Sequence, residues 1–431
     1  MPQDTLQSTS AAKGAPGLFR RLASSLGPGL ITAALVLGPG SIYLVSSAGQ
    51  ALEYRLLWVP LIAGVFMAVY TAMSARVGTV AEKSLLASVA DRYGRWLAVL
   101  MGLSSFAVCA SFQAGDNIGV SLSVQTVFED AWPGIHADWV LKAISGGFTA
   151  ISVLIVLTAP NLYKVVERLM TVLVLIMIGC FVADLVPAKP SIAGIAGGLV
   201  PRAEGKDLWR VVAMAATTFS VIAALYQSYM VQNKGWRIED YRRGVWDSVV
   251  GIAILTGLSM TIMVTAAAVL GGGRSARPID NAGDMAAQLE PLLGPAAKYI
   301  FCVGLLGASF SSLVANAIVG GGLLADSLGL GARFESRGVK ACTVLVMVVG
   351  ALVVQLFGQE KVGLITVAQK TTVLFVPVCA LVLLLLANSR KVMGAHVNRL
   401  WMNLLGGAGL AAITGLAGYQ FWSYLASLFA K

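Results

Sequence analysis

Residues 35–44, "LVLGPGSIYL", lie within an apolar run that is long enough to cross a membrane. Two glycines and a proline fall within four consecutive positions, Gly38-Pro39-Gly40-Ser41. Proline removes a backbone donor and glycine frees the backbone torsion angles, so this stretch predicts a break in the helix. Non-helical backbone at membrane depth is tolerated where it lines a cavity, and transporters bind substrates at such breaks. The alternative is a simple proline kink.

The composition is that of a helical membrane protein with many spans. Of 431 residues, 57% are hydrophobic and 12% are charged, whereas soluble domains carry about 25% charged residues. The apolar runs are near-continuous rather than alternating, which argues against a β-barrel. The chain before Leu26 is polar, and we expect no cleavable signal peptide. The net charge of +10 is spread over short loops, which indicates orientation in a membrane rather than nucleic-acid binding.

The apolar runs predict eleven spans. Their approximate bounds are roughly 29–51, 55–77, 96–127, 140–159, 162–186, 208–232, 245–270, 296–325, 339–357, 363–387 and 403–428. Lys and Arg residues, counted over alternate loops, place the N-terminus in the cytoplasm and the C-terminus outside. The sequence therefore predicts a multi-pass protein of the plasma (inner) membrane.

Of the charged residues, all but two can be assigned to loops or helix ends; the two that fall deep inside predicted spans are Asp116 in the third and Lys370 in the tenth. Such residues are costly in a bilayer and by default indicate a functional site. We expect a role in substrate binding or ion coupling. The alternatives are a structural Asp116–Lys370 ion pair and an error in a span boundary. The histidines fall in predicted loops and the cysteines are scattered singly, so neither type predicts a metal site.

An inverted repeat predicts a second break five spans after the first. The sixth span has no Gly or Pro, but its middle carries a polar cluster, Thr217-Thr218-Phe219-Ser220. Thr and Ser hydroxyls can cap freed backbone groups, so we keep both a broken and a continuous sixth helix open. The eighth span carries "GASFSSLVANAIVGGG". Its small and hydroxyl residues permit close helix packing or, through oxygen, the binding of a hard cation.

Four stretches make the chain resemble the NRAMP family of proton-coupled divalent-metal transporters. They are "GPGLITAALVLGPGSIYLVSSAGQALEYRLLWV", "SARVGTVAEKSLLASVADRYGR", "GLLGASFSSLVANAIVGG" and "LFVPVCALVLLLLANSRKVMG". The family belongs to the amino acid–polyamine–cation superfamily. The resemblance implies an all-α integral membrane protein with eleven transmembrane helices, built as an inverted 5+5 repeat of the leucine-transporter type with broken helices 1 and 6.

The predicted organisation has four parts. A cytoplasmic N-terminal tail covers residues 1–26, and the first repeat, with spans 1 to 5, covers residues 27–186. The second repeat, with spans 6 to 10, covers residues 208–387, and the eleventh span with the C-terminus covers residues 388–431.

The resemblance fails at the substrate site. The family's first-span signature is Asp-Pro-Gly-Asn, whose Asp and Asn ligate the metal, but here Gly38 and Ser41 stand at those positions. The family's sixth-span signature, Met-Pro-His, aligns with Ser220, Val221 and Ile222. The carboxylate, the thioether and the imidazole are therefore all absent from these two spans.

Two further spans carry matches to family positions. An Asp and a Glu of the family's third span are implicated in proton movement, and they align with Gln113 and Asp116. A Gln of the family's tenth span matches Gln369, and Lys370 beside it is unusual.

Transition metals require nitrogen, oxygen or sulfur ligands, and a dehydrated divalent ion needs compensating negative charge. The sequence therefore predicts a secondary-active transporter that has lost the transition-metal site. We expect it to carry a small organic solute, carboxylate or amino-acid-like, by alternating access. The alternatives are a divalent cation transporter of the Mg²⁺ or Mn²⁺ type with altered selectivity, and a non-transporting membrane sensor. No nucleophile motif supports an enzyme.

The predicted site has three sets of residues and no catalytic or metal-ligand set. The substrate-binding set is Gly38, Gly40, Ser41, Thr217, Ser220 and Gln369; the coupling set is Gln113, Asp116 and Lys370; the candidate ion site is Ser311 and Ser312. We expect no cofactor, with H⁺ or Na⁺ as the coupling ion. The expected partners are the lipid bilayer and the small-molecule or ion substrate, and the sequence does not indicate a protein partner.

Overall fold

The structure, a computed structural model, describes residues 38–158, 160–273, 278–358 and 361–429. Within these ranges every regular element is a helix. The predicted N-terminal tail and the first part of the first span lie outside the described residues.

The α-helices follow one another along the chain with short connections. They are α1 Pro39–Leu52, α2 Trp58–Val80, α3 Leu85–Tyr93, α4 Arg95–Phe128, α5 Asp138–Thr158, α6 Pro160–Ala188, α7 Ile192–Gly198, α8 Leu208–Thr218, α9 Val221–Asn233, α10 Tyr241–Val269, α11 Ala282–Ala286, α12 Glu290–Leu293, α13 Ala297–Leu328, α14 Arg337–Phe357, α15 Lys361–Thr372, α16 Val376–Ala387, α17 Arg390–Met393 and α18 Leu400–Phe429.

The helices match the predicted spans. By length and composition, nine helical stretches in the described part of the chain are apolar enough to cross a membrane. The remaining two predicted spans correspond to α1 and to α6, which contains the shorter apolar stretch Val174–Ala188. The prediction of an all-α integral membrane protein is therefore confirmed.

Small residues let the central helices approach closely, as the eighth-span sequence predicts. A Cβ atom added at Gly119 of α4 would lie 2.5 Å from Pro39 Cβ and 2.5 Å from Ser309 Oγ. The third span is therefore in contact with both the start of α1 and the eighth span, α13. This packing brings the Gly-Pro-Gly break against the two longest helices of the bundle.

The predicted break in the sixth span is confirmed. Helix α8 ends at Thr218 and α9 begins at Val221, because Phe219 and Ser220 leave the helical region with ψ angles of 63° and 83°. In the first span Gly38 is extended, with φ −95° and ψ 177°, and α1 begins at Pro39.

The tenth span is also interrupted, which was not predicted. Helix α15 ends at Thr372 and α16 begins at Val376, with a turn between them. The amides of Leu374 and Phe375 donate to the carbonyls three residues earlier instead of four. Pro377 explains the change, because it cannot donate to the carbonyl of residue 373 and its ring would clash there.

A buried hydrogen-bonded cluster joins the sixth and eighth spans to α3. The Tyr229 hydroxyl donates to Asp326 Oδ2 at 2.5 Å, and the Ser84 hydroxyl donates to Asp326 Oδ1 at 2.9 Å. The ring of Tyr226 stacks on that of Tyr229, with 5.6 Å between centroids. The carboxylate of Asp326 thus has hydroxyl donors from two other segments.

This cluster predicts a stability effect. Tyr229→Phe removes one buried donor to Asp326 and should lower the free energy of unfolding by about 1–3 kcal/mol. Thermal unfolding of the purified protein in detergent measures the change. Tyr226→Phe is the matched control, because it keeps the stacked rings and the Tyr229 hydroxyl. Equal unfolding temperatures for the two variants would contradict the prediction.

Candidate functional site

The start of α1 and the interrupted sixth and tenth spans meet around a small cavity that also contacts the third and eighth spans. Its lining residues are Gly38, Gly40, Ser41, Phe112, Asp116, Thr217, Ser220, Ser312, Asn316 and Gln369. The cavity volume is about 20 Å³, which is room for roughly one water-sized particle. In this conformation the cavity therefore has room for a single ion.

The structure brings most of the sequence-predicted residues together at this cavity. All of the predicted substrate-binding residues line it, together with Asp116 of the coupling set and Ser312 of the candidate ion site. Asn316 and Phe112 also line it, although neither is in a predicted set. Helical spacing could have found both. Asn316 lies four residues after Ser312 and Phe112 lies four residues before Asp116, so each shares a helix face with a predicted residue.

Three predicted residues do not line the cavity. Ser311 turns away, and its hydroxyl donates to the Ala308 carbonyl of its own helix at 3.1 Å. Gln113 is fully buried between helices, with its Nε2 donating to the carbonyl of Leu313. Lys370 is half-buried, and its Nζ lies 4.3 Å from the ring centroid of Trp209.

The structure does not support the alternative of an Asp116–Lys370 ion pair. The Asp116 carboxylate is 3% exposed, and its Oδ2 accepts a hydrogen bond from Asn316 Nδ2 at 2.9 Å. Asn316 Nδ2 also donates to Ser312 Oγ at 3.0 Å. The partners of Asp116 are thus neutral donors on the eighth span, while the Lys370 ammonium lies over an aromatic ring on α8.

The backbone contributes helix ends to the cavity. Helix α1 begins at its wall, and the first intrahelical bond there runs from the Ile42 amide to the Gly38 carbonyl at 3.2 Å. Helix α8 ends at the same wall, where its last carbonyls lose their intrahelical partners. The start of α1 carries partial positive charge and the end of α8 carries partial negative charge. A cation is therefore favoured on the α8 side.

Gln369 places an amide oxygen at the cavity without a partner. Its Oε1 is buried and has no hydrogen bond among the described residues. The side chain fits only because Gly40 has no Cβ: a Cβ there would lie 2.2 Å from Gln369 Nε2. A buried carbonyl oxygen that lacks a donor is a candidate ligand, since leaving it unpaired is costly.

The side-chain atoms at this cavity that could ligate a cation are all oxygens. They are the Asp116 carboxylate, the amides of Asn316 and Gln369, and the hydroxyls of Ser41, Thr217, Ser220 and Ser312. No imidazole, thiol or thioether lines it, and in the described part of the chain no three His, Cys, Asp or Glu side chains form a metal-binding group. Such oxygen donors suit hard cations better than soft transition metals.

Comparisons with known proteins match nearly the whole chain to one family. The profile of the natural resistance-associated macrophage protein-like (Nramp) family matches residues 29–423. A protein of Deinococcus radiodurans named divalent metal cation transporter MntH is 26% identical, covering 98% of this chain and 94% of its own length. Its namesake from Xanthomonas campestris is 27% identical over 97% of this chain and 94% of its own length.

The similar solved structures have the predicted fold. A crystal structure of a manganese transporter of Eremococcus coleocola has a TM-score of 0.73 at 17% identity, covering 98% of this chain and 91% of that one. The transporter MhsT in complex with L-phenylalanine has a TM-score of 0.58 at 14% identity, covering 90% of this chain and 98% of that one. The leucine-transporter type of fold is thereby confirmed.

The expectation of a carrier for a small organic solute is wrong. The relatives that match nearly the full length of the chain are named as transporters of divalent metal cations. The error came from treating the loss of three ligands in the first and sixth spans as the loss of cation binding. That reasoning left out the third, eighth and tenth spans, which bring a carboxylate and two amides to the same cavity.

Proposed function

This chain belongs to the natural resistance-associated macrophage protein-like (Nramp) family, and on that premise we propose that it transports hard divalent cations of the Mg²⁺ or Mn²⁺ type. The substrate crosses a plasma membrane by alternating access. The N-terminus lies in the cytoplasm and the C-terminus lies outside. The coupling ion is H⁺ or Na⁺.

The observation that carries this proposal is the cavity itself. It has room for one ion, and its side-chain donors are a single carboxylate, amides and hydroxyls. Mg²⁺ and Mn²⁺ accept such oxygen donors, whereas softer ions gain from thiolate or thioether ligands. The names of the relatives, divalent metal cation transporter and manganese transporter, support the same substrate class.

The test is cation uptake into liposomes that contain the purified protein, followed with a fluorescent reporter inside. We expect saturable uptake of Mg²⁺ or Mn²⁺, and at least about tenfold less efficient uptake of Cd²⁺, because the cavity offers no sulfur ligand. Protein-free liposomes and a metal-transporting member of the family serve as controls. No uptake of any of the three cations, with the positive control active and the protein folded, would contradict the proposal, as would a preference for Cd²⁺.

The proposed coupling is tested in the same liposomes. Cation uptake is measured with an imposed inward gradient of H⁺, of Na⁺ or of neither. A gradient that stimulates uptake identifies the coupling ion, and uptake that is equal under all three conditions would contradict coupling to either.

A further inference from the structure

We propose that the carboxylate of Asp116 binds the transported cation directly, and that the charge of the cation is balanced from the third span instead of from the broken first span. This inference rests on the proposed function. Asp116 is the one charged side chain that lines the cavity within the described part of the chain.

The surroundings of Asp116 hold the carboxylate at the cavity wall. Its Oδ2 accepts from Asn316 Nδ2 at 2.9 Å, and Asn316 is in turn bonded to Ser312 at 3.0 Å. All three side chains line the cavity. Two neighbours on the eighth span therefore fix the orientation of the carboxylate, and they do so without a charge that would compete with a bound cation.

The other carboxylate oxygen lies beside the first-span break. A Cβ added at Gly38 would lie 3.2 Å from Asp116 Oδ1 and 2.9 Å from Ser312 Oγ. The carboxylate of Asp116, which comes from the third span, thus fills the space next to the backbone of Gly38. A side chain at position 38 would be tight against Asp116 and Ser312, so both would have to shift, and two carboxylates there would also repel each other.

Among the described residues, the buried carboxylate has no positively charged partner. Lys370, which the alternative interpretation paired with it, lies over Trp209 instead. A charge buried without an opposite charge is costly, and intramembrane carboxylates are found paired or next to a wet cavity. A divalent cation in the adjoining cavity supplies the missing opposite charge.

The first experiment compares two isosteric variants, Asp116→Asn and Asp184→Asn. Asp184 is a buried carboxylate on α6 that does not line the cavity, so its variant controls for the loss of a buried carboxylate elsewhere. Uptake of Mg²⁺ and Mn²⁺ into liposomes should fall at least 30-fold in Asp116→Asn and less than threefold in Asp184→Asn. Wild-type uptake in Asp116→Asn would overturn the inference, and so would an equal loss in both variants.

A binding measurement separates a ligand from a residue that acts only in coupling or in the conformational cycle. Mg²⁺ should raise the unfolding temperature of the detergent-solubilised wild type and of Asp184→Asn, but not that of Asp116→Asn. An undiminished rise in Asp116→Asn would overturn the inference even if uptake were lost. Failure of the proposed function looks different, because the wild type would then show neither uptake nor a cation-dependent rise.

A further variant tests whether positions 38 and 116 place a carboxylate in the same part of the cavity. It moves the carboxylate from residue 116 to residue 38. Asp116→Ala should abolish the rise in unfolding temperature that Mg²⁺ causes. The double variant Gly38→Asp/Asp116→Ala should restore at least a third of that rise. In the double variant the small alanine leaves room for the new carboxylate, and the Ser312 hydroxyl can rotate away. No recovery in a folded double variant would overturn the placement of the two positions on one side of the ion.

Discussion

Replacing Gly40 with valine is expected to reduce cation uptake at least 100-fold in a protein that still folds. A Cβ at this position would lie 2.2 Å from Gln369 Nε2 and 3.1 Å from Gln369 Cδ. The Gln369 side chain can yield, so the fold survives, but its amide must leave its present place. Valine is stiff because it branches at Cβ, and its methyl groups would occupy a cavity of about 20 Å³.

The loss corresponds to about 2.7 kcal/mol in the transport barrier, since each tenfold change in rate is about 1.4 kcal/mol. Uptake into liposomes measures it, with thermal unfolding in detergent as the check on folding. Gly147→Val is the matched control, because no atom lies within 4 Å of a Cβ at that exposed position in the fourth span. If Gly40→Val retained more than a tenth of wild-type uptake, the cavity would not lie on the transport path.

Replacing Gly321 with alanine is expected to cause a large loss of stability from a single added methyl group. A Cβ at Gly321 of α13 would lie 2.4 Å from the backbone nitrogen and 2.5 Å from the Cα of Thr343 on α14. Both contacts are with helix backbone, so the eighth and ninth spans must separate. Overpacking of this kind costs about 3 kcal/mol, and we expect the unfolding temperature to fall by about 5 °C.

Gly257→Ala provides the comparison for Gly321→Ala. Gly257 lies within α10, and a Cβ there meets no atom within 4 Å. Its unfolding temperature should stay close to that of the wild type. An unfolding temperature of Gly321→Ala within about 1 °C of the Gly257→Ala value would show that the two helices are not in backbone contact.

The architecture could be predicted from sequence because each span leaves a local signal. Apolar runs of membrane length give the number and bounds of the helices. The start of α1 at Pro39 follows from Gly38 to Gly40. The hydroxyl cluster at Thr217 and Ser220 left the sixth span open, and the break there was implied by the family resemblance. The break of the tenth span was missed, although Pro377 marks it, because the proline sits inside a strongly apolar run that was treated as one helix.

The site could be predicted only in part, because its geometry depends on contacts between distant spans. The residues of the broken spans were found from their own motifs, and they do line one cavity. Asp116 was identified as unusual, but its position along the third span does not reveal which helix it contacts. The alternative of an ion pair with Lys370 could not be tested from sequence, because the actual neighbour of Lys370, Trp209, lies 161 positions away and cannot be found from spacing.

The single carboxylate at the cavity has a consequence for the concentration range in which such a protein works. The affinity of oxygen sites for divalent ions rises with the number of charged ligands, and sites with few charges bind weakly. Asp116 offers one negative charge, and the helix that begins at Pro39 presents its positive end to the same space. With the proposed function, we therefore expect half-saturation near millimolar concentration for either ion, and a bound ion that dissociates quickly at each turn of the transport cycle.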